Sequence, residues 1–329
     1  MDTKTLFKGK TLLVTGGTGT FGRSFVEKLF NETEAKKIII FSRDEFKQSV
    51  MQRELTDPEE RLRFFLGDVR DLARLERAFQ DVNIVVHAAA LKQIPVLEYN
   101  PFEAVKTNVL GTQNVIDAAL NNNVDKVLFV SSDKAVHPIN LYGATKLCAE
   151  KLMAAANVYR SLNKRTKFSV VRYGNVLGSR GSLVETIARE RATGTINLTD
   201  QAMTRFWITV DEVMGIVFKA LTTMEGGELF VPKMQSLRVV DVIKTLAPDC
   251  EVKLIGIRPG EKLHEVLLTE REATRVRDVG DMFVVMPEFG WSDEKWLKGA
   301  PPLKSSFLYA SNHPDFLISS DGASRILEV

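Results

Sequence analysis

A glycine-rich segment directly after the first apolar run constrains the fold of this 329-residue chain most strongly. Residues 11–15 predict a buried strand, and Gly16, Gly19 and Gly22 follow it at every third position before an amphipathic stretch. Glycines so placed allow a tight turn, close approach of a pyrophosphate to the backbone, and close packing of helix on strand. Free N–H groups at the helix N-terminus then suit phosphates. The segment predicts a dinucleotide site.

Short apolar runs alternate with longer amphipathic stretches through the first half of the chain. The alternation predicts parallel strands covered by helices on both faces, hence an α/β fold with a Rossmann-type doubly wound parallel sheet. The predicted strands are 11–15, 37–41, 63–68, 83–90, 126–131 and 168–172, and the predicted helices are 21–30, 71–79, 102–121, 140–162 and 183–193.

The pattern changes after about residue 175. Helices are predicted at 210–223 and 239–246, and strands at 227–231 and 252–255, whereas 301–329 has little pattern. No Gly/Ser-rich linker separates the two parts. We therefore expect a dinucleotide-binding domain over 1–175, with later segments returning to it, and an interleaved, smaller mixed α/β substrate lobe over 176–329.

Composition excludes several classes of protein. The chain has 44 Lys and Arg and 42 Asp and Glu residues, a net charge of +2 that favours neither nucleic acid nor an anionic membrane as partner. Cys148 and Cys250 lie far apart and the histidines show no paired spacing, so we expect neither a disulfide framework nor a metal site. Without a signal peptide or an apolar run near the ~18 residues of a membrane span, we expect a cytoplasmic protein.

The end of the second predicted strand indicates which dinucleotide binds. Arg at this place accommodates the 2′-phosphate of NADP, whereas an acidic residue accepts from the ribose hydroxyl of NAD. Ser42 and Arg43 stand here, with Lys47 one turn later and Asp44 as the contrary signal. The sequence favours NADP; the alternative is that Arg43 and Lys47 form a solvated charge cluster.

Further cofactor contacts are predicted at the ends of neighbouring strands. Asp68 follows the third strand, where a carboxylate can accept from the adenine amino group, and Val69 adjoins it. Ala88 ends the fourth strand, where small side chains let the cofactor lie against the sheet. Within the glycine-rich segment, Thr18, Thr20 and Phe21 complete the predicted set.

Polar residues after the fifth predicted strand form a candidate catalytic group. Ser132, Asp133 and Lys134 stand where that strand ends, and Tyr142 and Lys146 follow with the spacing of one helix face. An ammonium near a phenol lowers the phenol pKa, so Tyr142 can take a proton from a substrate hydroxyl. The alternative for Asp133 and Lys134 is an ion pair that orders the loop.

At these residues the chain resembles the extended short-chain dehydrogenase/reductase family, which acts on nucleotide sugars. Within it, the sequence is most similar to the inverting UDP-N-acetylglucosamine 4,6-dehydratases: Asp133-Lys134 replaces the Asp-Glu pair of retaining sugar dehydratases, and Tyr142 is kept. Ser132 stands where that subfamily usually has Thr. The matching segments are TGGTGTFG, FSRDE, GDVRD, HAAALKQIP, VRYGNVLGSRGS, MTRFW and IRPGEKLHE.

The resemblance implies an NADP-dependent lyase reaction. Tyr142 deprotonates the sugar 4-hydroxyl as hydride passes from C4 to NADP, Lys134 as base removes the C5 proton, and Asp133 is the acid for loss of the 6-hydroxyl. Hydride then returns to C6, and protonation from the opposite face inverts C5. The resemblance also implies a homo-oligomer, dimer or hexamer, and a product used for surface-glycan or flagellin sugars of the pseudaminic acid type.

A base role for Lys134 requires a neutral amine, although a free lysine has a pKa near ~10.4. Desolvation or cationic neighbours lower that pKa, and Lys92 and Lys146 are the candidate neighbours. Asp133 acts in the opposite sense. The sequence leaves open which effect is larger.

Substrate contacts are implied by the resemblance at Lys92, Tyr142, Asn175, Arg205, Arg258 and Glu261. Arg258 lies in a Pro-Gly turn and suits a diphosphate, and Glu261 suits ribose hydroxyls. Trp207 is interpreted as a core residue and His264 as a structural histidine.

Two other functions stay open. A UDP-hexose 4-epimerase or reductase of the same fold needs Tyr142 and Lys146 but no base at Lys134. A non-catalytic NADP-binding sensor or scaffold needs none of them.

Overall fold

The computed structural model describes residues 4–5, 7–159, 166–179, 181–288, 297 and 299–327. Its strands are β1 Thr11–Thr15, β2 Lys37–Ser42, β3 Leu62–Leu66, β4 Ile84–His87, β5 Lys126–Val130, β6 Lys167–Val171, β7 Asn175–Val176, β8 Thr195–Leu198, β9 Thr204–Ile208, β10 Leu229–Pro232, β11 Gln235–Arg238, β12 Glu251–Leu254, β13 Val266–Leu268, β14 Val276–Asp278, β15 Met282–Val285 and β16 Tyr309–Ala310. Its α-helices are α1 Thr20–Glu32, α2 Glu45–Glu54, α3 Leu72–Ala78, α4 Ile94–Tyr99, α5 Pro101–Ala104, α6 Gly111–Asn121, α7 Leu141–Ala156, α8 Leu183–Arg191, α9 Val210–Thr223, α10 Val239–Leu246, α11 Glu270–Ala273 and α12 Ser320–Leu327.

The large sheet confirms the predicted Rossmann-type doubly wound fold. Within the described residues it has nine strands in the order β14-β15-β10-β6-β5-β4-β1-β2-β3, parallel from β10 to β3. The strand order reverses between β1 and β4, and the glycine-rich turn follows β1. Ligands bind at this place in open α/β sheets.

Alternate residues of β1 face two apolar cores, one on each side of the sheet. Leu12 packs into the cluster that contains Phe25, and Leu13 packs into the cluster that contains Phe79. All four side chains are fully buried. Burial on both faces explains why this strand reads as a continuous apolar run.

Strands from late in the chain extend the large sheet beyond β6. β10 pairs parallel to β6, β15 pairs antiparallel to β10, and β14 pairs antiparallel to β15. Smaller sheets of β11-β9-β7, β12-β8 and β13-β16 lie in the second half of the chain. Trp207 is buried in an apolar cluster there, as expected of a core residue. The division near residue 175 stays a prediction.

The predicted helix 102–121 is observed, but it is not one regular α-helix. α5 is followed by a π-helical stretch, Val105–Leu110, before α6 begins. Asn108 in this stretch donates to the Leu91 carbonyl (2.9 Å) and accepts from the Leu91 N–H (2.8 Å). The Asn108 side chain thus binds both the N–H and the carbonyl of Leu91. The π-helical stretch therefore helps to position the loop that contains Leu91.

Other boundaries differ by a few residues. The predicted helix 140–162 is observed as α7, with a 3-10 turn at Asn157–Tyr159, and residues 160–162 lie outside the described residues. α2 was not predicted, because its sequence carries few apolar residues. In the part of the chain that the structure describes, every helix is too short or too polar to cross a bilayer.

Candidate active site

The glycine-rich turn has the shape that a dinucleotide phosphate group needs. Gly16 has a φ of +68°, and a Cβ there would lie 2.9 Å from the Ala89 backbone. Gly19 is the N-cap of α1 and, having no side chain, cannot cap the first N–H groups of that helix. A cradle that any Cβ would fill, in front of a helix N-terminus, fits a pyrophosphate.

The remaining residues of the segment hold the turn against α1. Gly22 packs on the Gly16 carbonyl, where a Cβ would collide with it. Thr18 and Thr20 are half-buried. Phe21 stacks on Tyr173, with 6.4 Å between ring centroids, which places α1 beside the candidate catalytic residues.

The residues after β2 are already engaged with one another. Ser42 is buried, and its Oγ accepts from Gln48 Nε2 at 3.0 Å. Arg43 Nη1 lies 3.3 Å from Asp68 Oδ2, so the predicted phosphate-binding and adenine-binding side chains form an ion pair. Asp68 also pairs with Arg70 at 2.7 Å, and these guanidinium groups hold its pKa below the usual range despite partial burial.

Asp44, the contrary signal for NADP, has a structural role. Its carboxylate accepts from the Lys47 N–H as the N-cap of α2 and lies 2.5 Å from Lys47 Nζ. A capping carboxylate is held toward the helix. Val69 is buried, and Ala88 donates its N–H to the Thr15 carbonyl at 3.2 Å, which fixes the end of β4.

The candidate catalytic group meets directly after β5. Asp133 is fully buried, and its Oδ1 accepts from Ser132 Oγ at 2.8 Å and from Lys134 Nζ at 2.9 Å. Asp133 Oδ2 is buried without a hydrogen-bond partner among the described residues. Asp133 Oδ2 can therefore still accept a hydrogen bond beside the Lys134 ammonium.

The sequence did not predict Glu265, which lies in the same group. It is 2% exposed, and its Oε1 lies 3.7 Å from Lys134 Nζ. It is the last residue of the segment IRPGEKLHE, and a carboxylate just before the apolar strand β13 was the available signal. Two buried carboxylates thus flank Lys134.

These carboxylates answer the question that the sequence left open about Lys134. Burial lowers the pKa of the Lys134 ammonium, but the charges of Asp133 and Glu265 outweigh burial and raise that pKa above its ordinary value. The surroundings of Lys134 therefore favour its protonated form and oppose a neutral amine at rest. Lys92 is near enough for its own pKa to be lowered by burial and by the Lys134 charge.

The cation that acts on Tyr142 is Lys134, whereas the sequence predicted Lys146. Burial raises the pKa of the Tyr142 phenol, while the Lys134 charge and a hydrogen bond with Ser132 act to lower it. Lys146 instead donates to the Val130 carbonyl at 2.7 Å and lies 4.4 Å from the centre of the Phe129 ring. Burial lowers the pKa of Lys146 to about 7. Lys146 is a pH-sensitive group one turn beyond the tyrosine.

The substrate residues implied by the resemblance lie at different depths. Arg205 is 7% exposed and donates to the carbonyls of Lys262 (2.9 Å) and Leu263 (3.2 Å). Glu261 accepts from Thr199 Oγ1 at 3.0 Å and lies 3.8 Å from Arg205. Arg258 is exposed, and Asn175 begins β7.

The loop that carries Arg258 and Glu261 packs against the segment that leads into α7. Asn140 Nδ2 donates to the Gly260 carbonyl at 2.8 Å, and Lys262 Nζ donates to the Val136 carbonyl at 2.6 Å. The loop therefore brings Glu261 and Glu265 toward the segment that bears Lys134 and Tyr142. His264 Nδ1 lies 2.8 Å from Thr204 Oγ1, in keeping with a structural histidine.

Comparisons with known proteins show the family to which this chain belongs. The family model described as "Polysaccharide biosynthesis protein" matches residues 12–287. The chain is 45% identical over 292 residues to an inverting UDP-N-acetylglucosamine 4,6-dehydratase of Campylobacter jejuni, covering 88% of this chain and 86% of the relative. It is 40% identical over 286 residues to a UDP-glucose 4-epimerase of Rickettsia rickettsii, covering 84% and 83%. The crystal structure of Pen from Bacillus thuringiensis matches with a TM-score of 0.89 and 36% identity over 98% of each chain.

Proposed function

Because this chain belongs to the polysaccharide biosynthesis family, we propose that it is an NADP-dependent UDP-N-acetylglucosamine 4,6-dehydratase that inverts C5. The observation that carries the proposal is the contact of Lys134 with Asp133 at the carboxyl end of β5, beside buried Tyr142. An acid, a base and a phenol in one buried group suit elimination next to a ketone.

The predicted cofactor residues fit NADP by their shape and charge. Gly16, Gly19 and the N-terminus of α1 receive the pyrophosphate, and Arg43 and Lys47 offset the 2′-phosphate. When bound, NADP supplies reversible oxidation at C4 of the sugar. A 4-epimerase uses the same oxidation at C4, so the cofactor-binding residues do not distinguish a dehydratase from an epimerase.

Tyr142 accepts the proton of the sugar 4-hydroxyl. Its phenolate is disfavoured by burial and favoured by the Lys134 charge and the Ser132 hydrogen bond. We infer that Ser132 serves the phenol here in the way that a Thr hydroxyl serves the related enzymes.

Asp133 and Lys134 generate acid and base together. Transfer of one proton from Lys134 Nζ to Asp133 Oδ1, across 2.9 Å, turns the ion pair into a neutral amine and a neutral carboxylic acid. The amine then takes the C5 proton, and the acid gives its proton to the departing 6-hydroxyl, which leaves as water. Charge and protons balance in this elimination, and Asp133 ends as a carboxylate beside an ammonium. C5 then takes a proton from solvent on the face opposite Lys134, which inverts its configuration.

Lys92, Asn175, Arg205, Arg258 and Glu261 are proposed to bind the UDP-sugar. Arg205 is proposed to act partly by holding the loop in place, because its guanidinium donates hydrogen bonds to the carbonyls of Lys262 and Leu263. We further propose that the protein is a homo-oligomer and that its product serves glycan sugars of the pseudaminic acid type.

Product analysis in deuterated water tests the function. We expect UDP-N-acetylglucosamine to lose one water and gain one deuterium at C5, with the inverted C5 configuration in the proton NMR spectrum. Retention of the 6-hydroxyl would contradict the dehydratase. The same mixture detects the 4-epimerase as a change at C4 without loss of water.

The epimerase is the second candidate, because a relative at 40% identity bears that name. Lys134→Ala separates the two: it abolishes water loss in a dehydratase and leaves C4 epimerisation measurable in an epimerase. A non-catalytic NADP-binding scaffold predicts neither product with the unmodified protein.

A further inference from the structure

Glu265 lies where three cations meet. Its carboxylate oxygens are 3.7 Å from Lys134 Nζ, 3.9 Å from Arg205 Nε and 3.5 Å from Lys262 Nζ. In the part of the chain that the structure describes, Glu265 Oε2 is buried with no hydrogen-bond partner. A buried carboxylate that interacts mainly through charge, and not through hydrogen bonds, acts on the protonation of its neighbours.

The backbone of Glu265 is fixed independently of its carboxylate. Its N–H donates to Ser311 Oγ at 2.9 Å, and its carbonyl accepts from the Ser311 N–H at 2.8 Å. Ser311 is fully buried and also contacts Thr204. Main-chain contacts therefore keep residue 265 in place when its side chain is changed.

We propose that Glu265 is a positioning residue that holds the Lys134 ammonium opposite Asp133 and sets the pH at which Lys134 gives up its proton. The proposal deepens the proposed function, on which its kinetic part rests. Asp133 contacts Lys134 Nζ from the same segment, and Glu265 approaches it from a loop more than a hundred residues later. The charged and titratable groups that face Lys134 are Asp133, Glu265, Arg205, Tyr142 and Lys92.

The sign of the effect follows from these charges. A carboxylate near an ammonium favours the protonated form, so removal of the Glu265 charge lowers the pKa of Lys134. Opposite charges within about 4–6 Å shift a pKa by about one to three units. We therefore expect Glu265→Gln, which keeps the shape of the side chain, to make Lys134 lose its proton at lower pH.

Competitive labelling of lysines with trace acetic anhydride measures this without any substrate. Mass spectrometry gives the labelling rate of Lys134 relative to exposed Lys36 from about pH 7 to about pH 11, the range over which lysines titrate. At about pH 9 we expect the rate in Glu265→Gln to exceed that of the unmodified protein at least about tenfold, as a shift of one pKa unit requires.

Glu261→Gln is the matched control for labelling. It removes a carboxylate from the same loop, also beside Arg205, and Glu261 does not act on Lys134. We expect its Lys134 labelling curve to match the unmodified protein. An equal curve in Glu265→Gln overturns the proposal.

Glu265→Asp decides the matter if the Gln variant does not fold. It keeps the charge but withdraws it by one methylene, so we expect a smaller shift in the same direction. Labelling identical to the unmodified protein overturns the proposal.

The kinetic readout separates this inference from the proposed function. In a dehydratase whose Asp133–Lys134 pair must hold one proton, the alkaline limb of the kcat profile should move to lower pH in Glu265→Gln by the same amount as the labelling curve. If the unmodified protein leaves UDP-N-acetylglucosamine unchanged, the proposed function fails, whereas labelling still decides the role of Glu265.

Discussion

Arg172 and Glu150 form a two-pronged ion pair inside the protein, with Arg172 Nη2 2.6 Å from Glu150 Oε2 and Arg172 Nε 3.0 Å from Glu150 Oε1. Ser131 Oγ donates to the same carboxylate at 2.5 Å, and Glu272 accepts from Arg172 at 3.0 Å. Glu150 lies one helical turn after Lys146. The pair joins β5, α7, β6 and α11 behind the candidate catalytic residues.

We expect Glu150→Gln to destabilise the protein by about 3 kcal/mol, because a buried guanidinium loses its main counter-charge. Urea unfolding measures the change. The exposed pair of Arg191 and Asp249 is the control, and Asp249→Asn should cost less than about 1 kcal/mol. Equal costs for the two variants would contradict a structural role for the buried pair.

The low pKa of Lys146 makes stability depend on pH. The folded value is about 7 against 10.5 for an ordinary lysine, so between these values the unfolded chain binds the extra proton. Stability therefore rises with pH through this window. Relative to Lys146→Met, the free energy of unfolding of the unmodified protein should increase by about 2 kcal/mol from pH ~7 to pH ~9, measured by urea unfolding. A constant difference would show that Lys146 titrates normally.

Gly16→Ala should abolish dinucleotide binding. The added Cβ would lie against the Ala89 backbone, and residue 16 has a positive φ that alanine rarely adopts. Gly194→Ala is the matched control: φ is +73° there, and a Cβ would meet no atom within 4 Å. Gly194→Ala should lose about 1 kcal/mol of stability to backbone strain. Gly16→Ala should lose more, because its Cβ also collides with the Ala89 backbone. Calorimetric titration with NADP should show binding in Gly194→Ala alone.

Tyr142→Phe should lower kcat by about 100-fold or more, since loss of a general base typically costs that much. Its fold should persist, because the ring stays in the pocket. Tyr99→Phe, at a tyrosine that is 87% exposed, should leave kcat unchanged. Conversion of UDP-N-acetylglucosamine followed by mass spectrometry is the assay, and retained turnover in Tyr142→Phe would remove the tyrosine from the mechanism.

Arg43→Ala should weaken NADP binding by about tenfold or more and leave NAD binding nearly unchanged, because one charge-assisted contact to the 2′-phosphate is lost. Arg53→Ala, at an exposed arginine on the same helix as Lys47, serves as the control. Fluorescence titrations with both dinucleotides provide the comparison. If Arg43→Ala weakens the binding of NAD and NADP equally, Arg43 acts by holding Asp68 in place and not by contacting the 2′-phosphate.

Local patterns carried most of the fold. Strands buried on both faces, such as β1, have apolar runs that need no partner to be recognised, and α9 and α10 were predicted with the bounds observed. The short strands β13 and β16 were missed because each is stabilised by pairing with the other across about forty residues. Pairing at such a separation leaves no local pattern.

The site residues also fall into those that a local pattern reveals and those that only distant contacts reveal. Asp133, Lys134 and Tyr142 lie close in the chain, so spacing and resemblance identified them together. Glu265 and Glu150 were not identified, since their roles depend on a lysine and an arginine that are distant in sequence. In the folded arrangement the Glu265 charge adds to that of Asp133 in favouring the protonated form of Lys134.

The pairing of β10 with β6 also has a consequence for synthesis on the ribosome. β6 ends at Val171, but its partner begins at Leu229, and β15 closes the sheet only with Met282–Val285. Until those residues emerge, β6 is an apolar edge strand, which is a site for wrong pairing and aggregation. C-terminal truncation before residue 229 therefore leaves an N-terminal half with an unprotected edge, and chaperone dependence should decline once β15 has been translated.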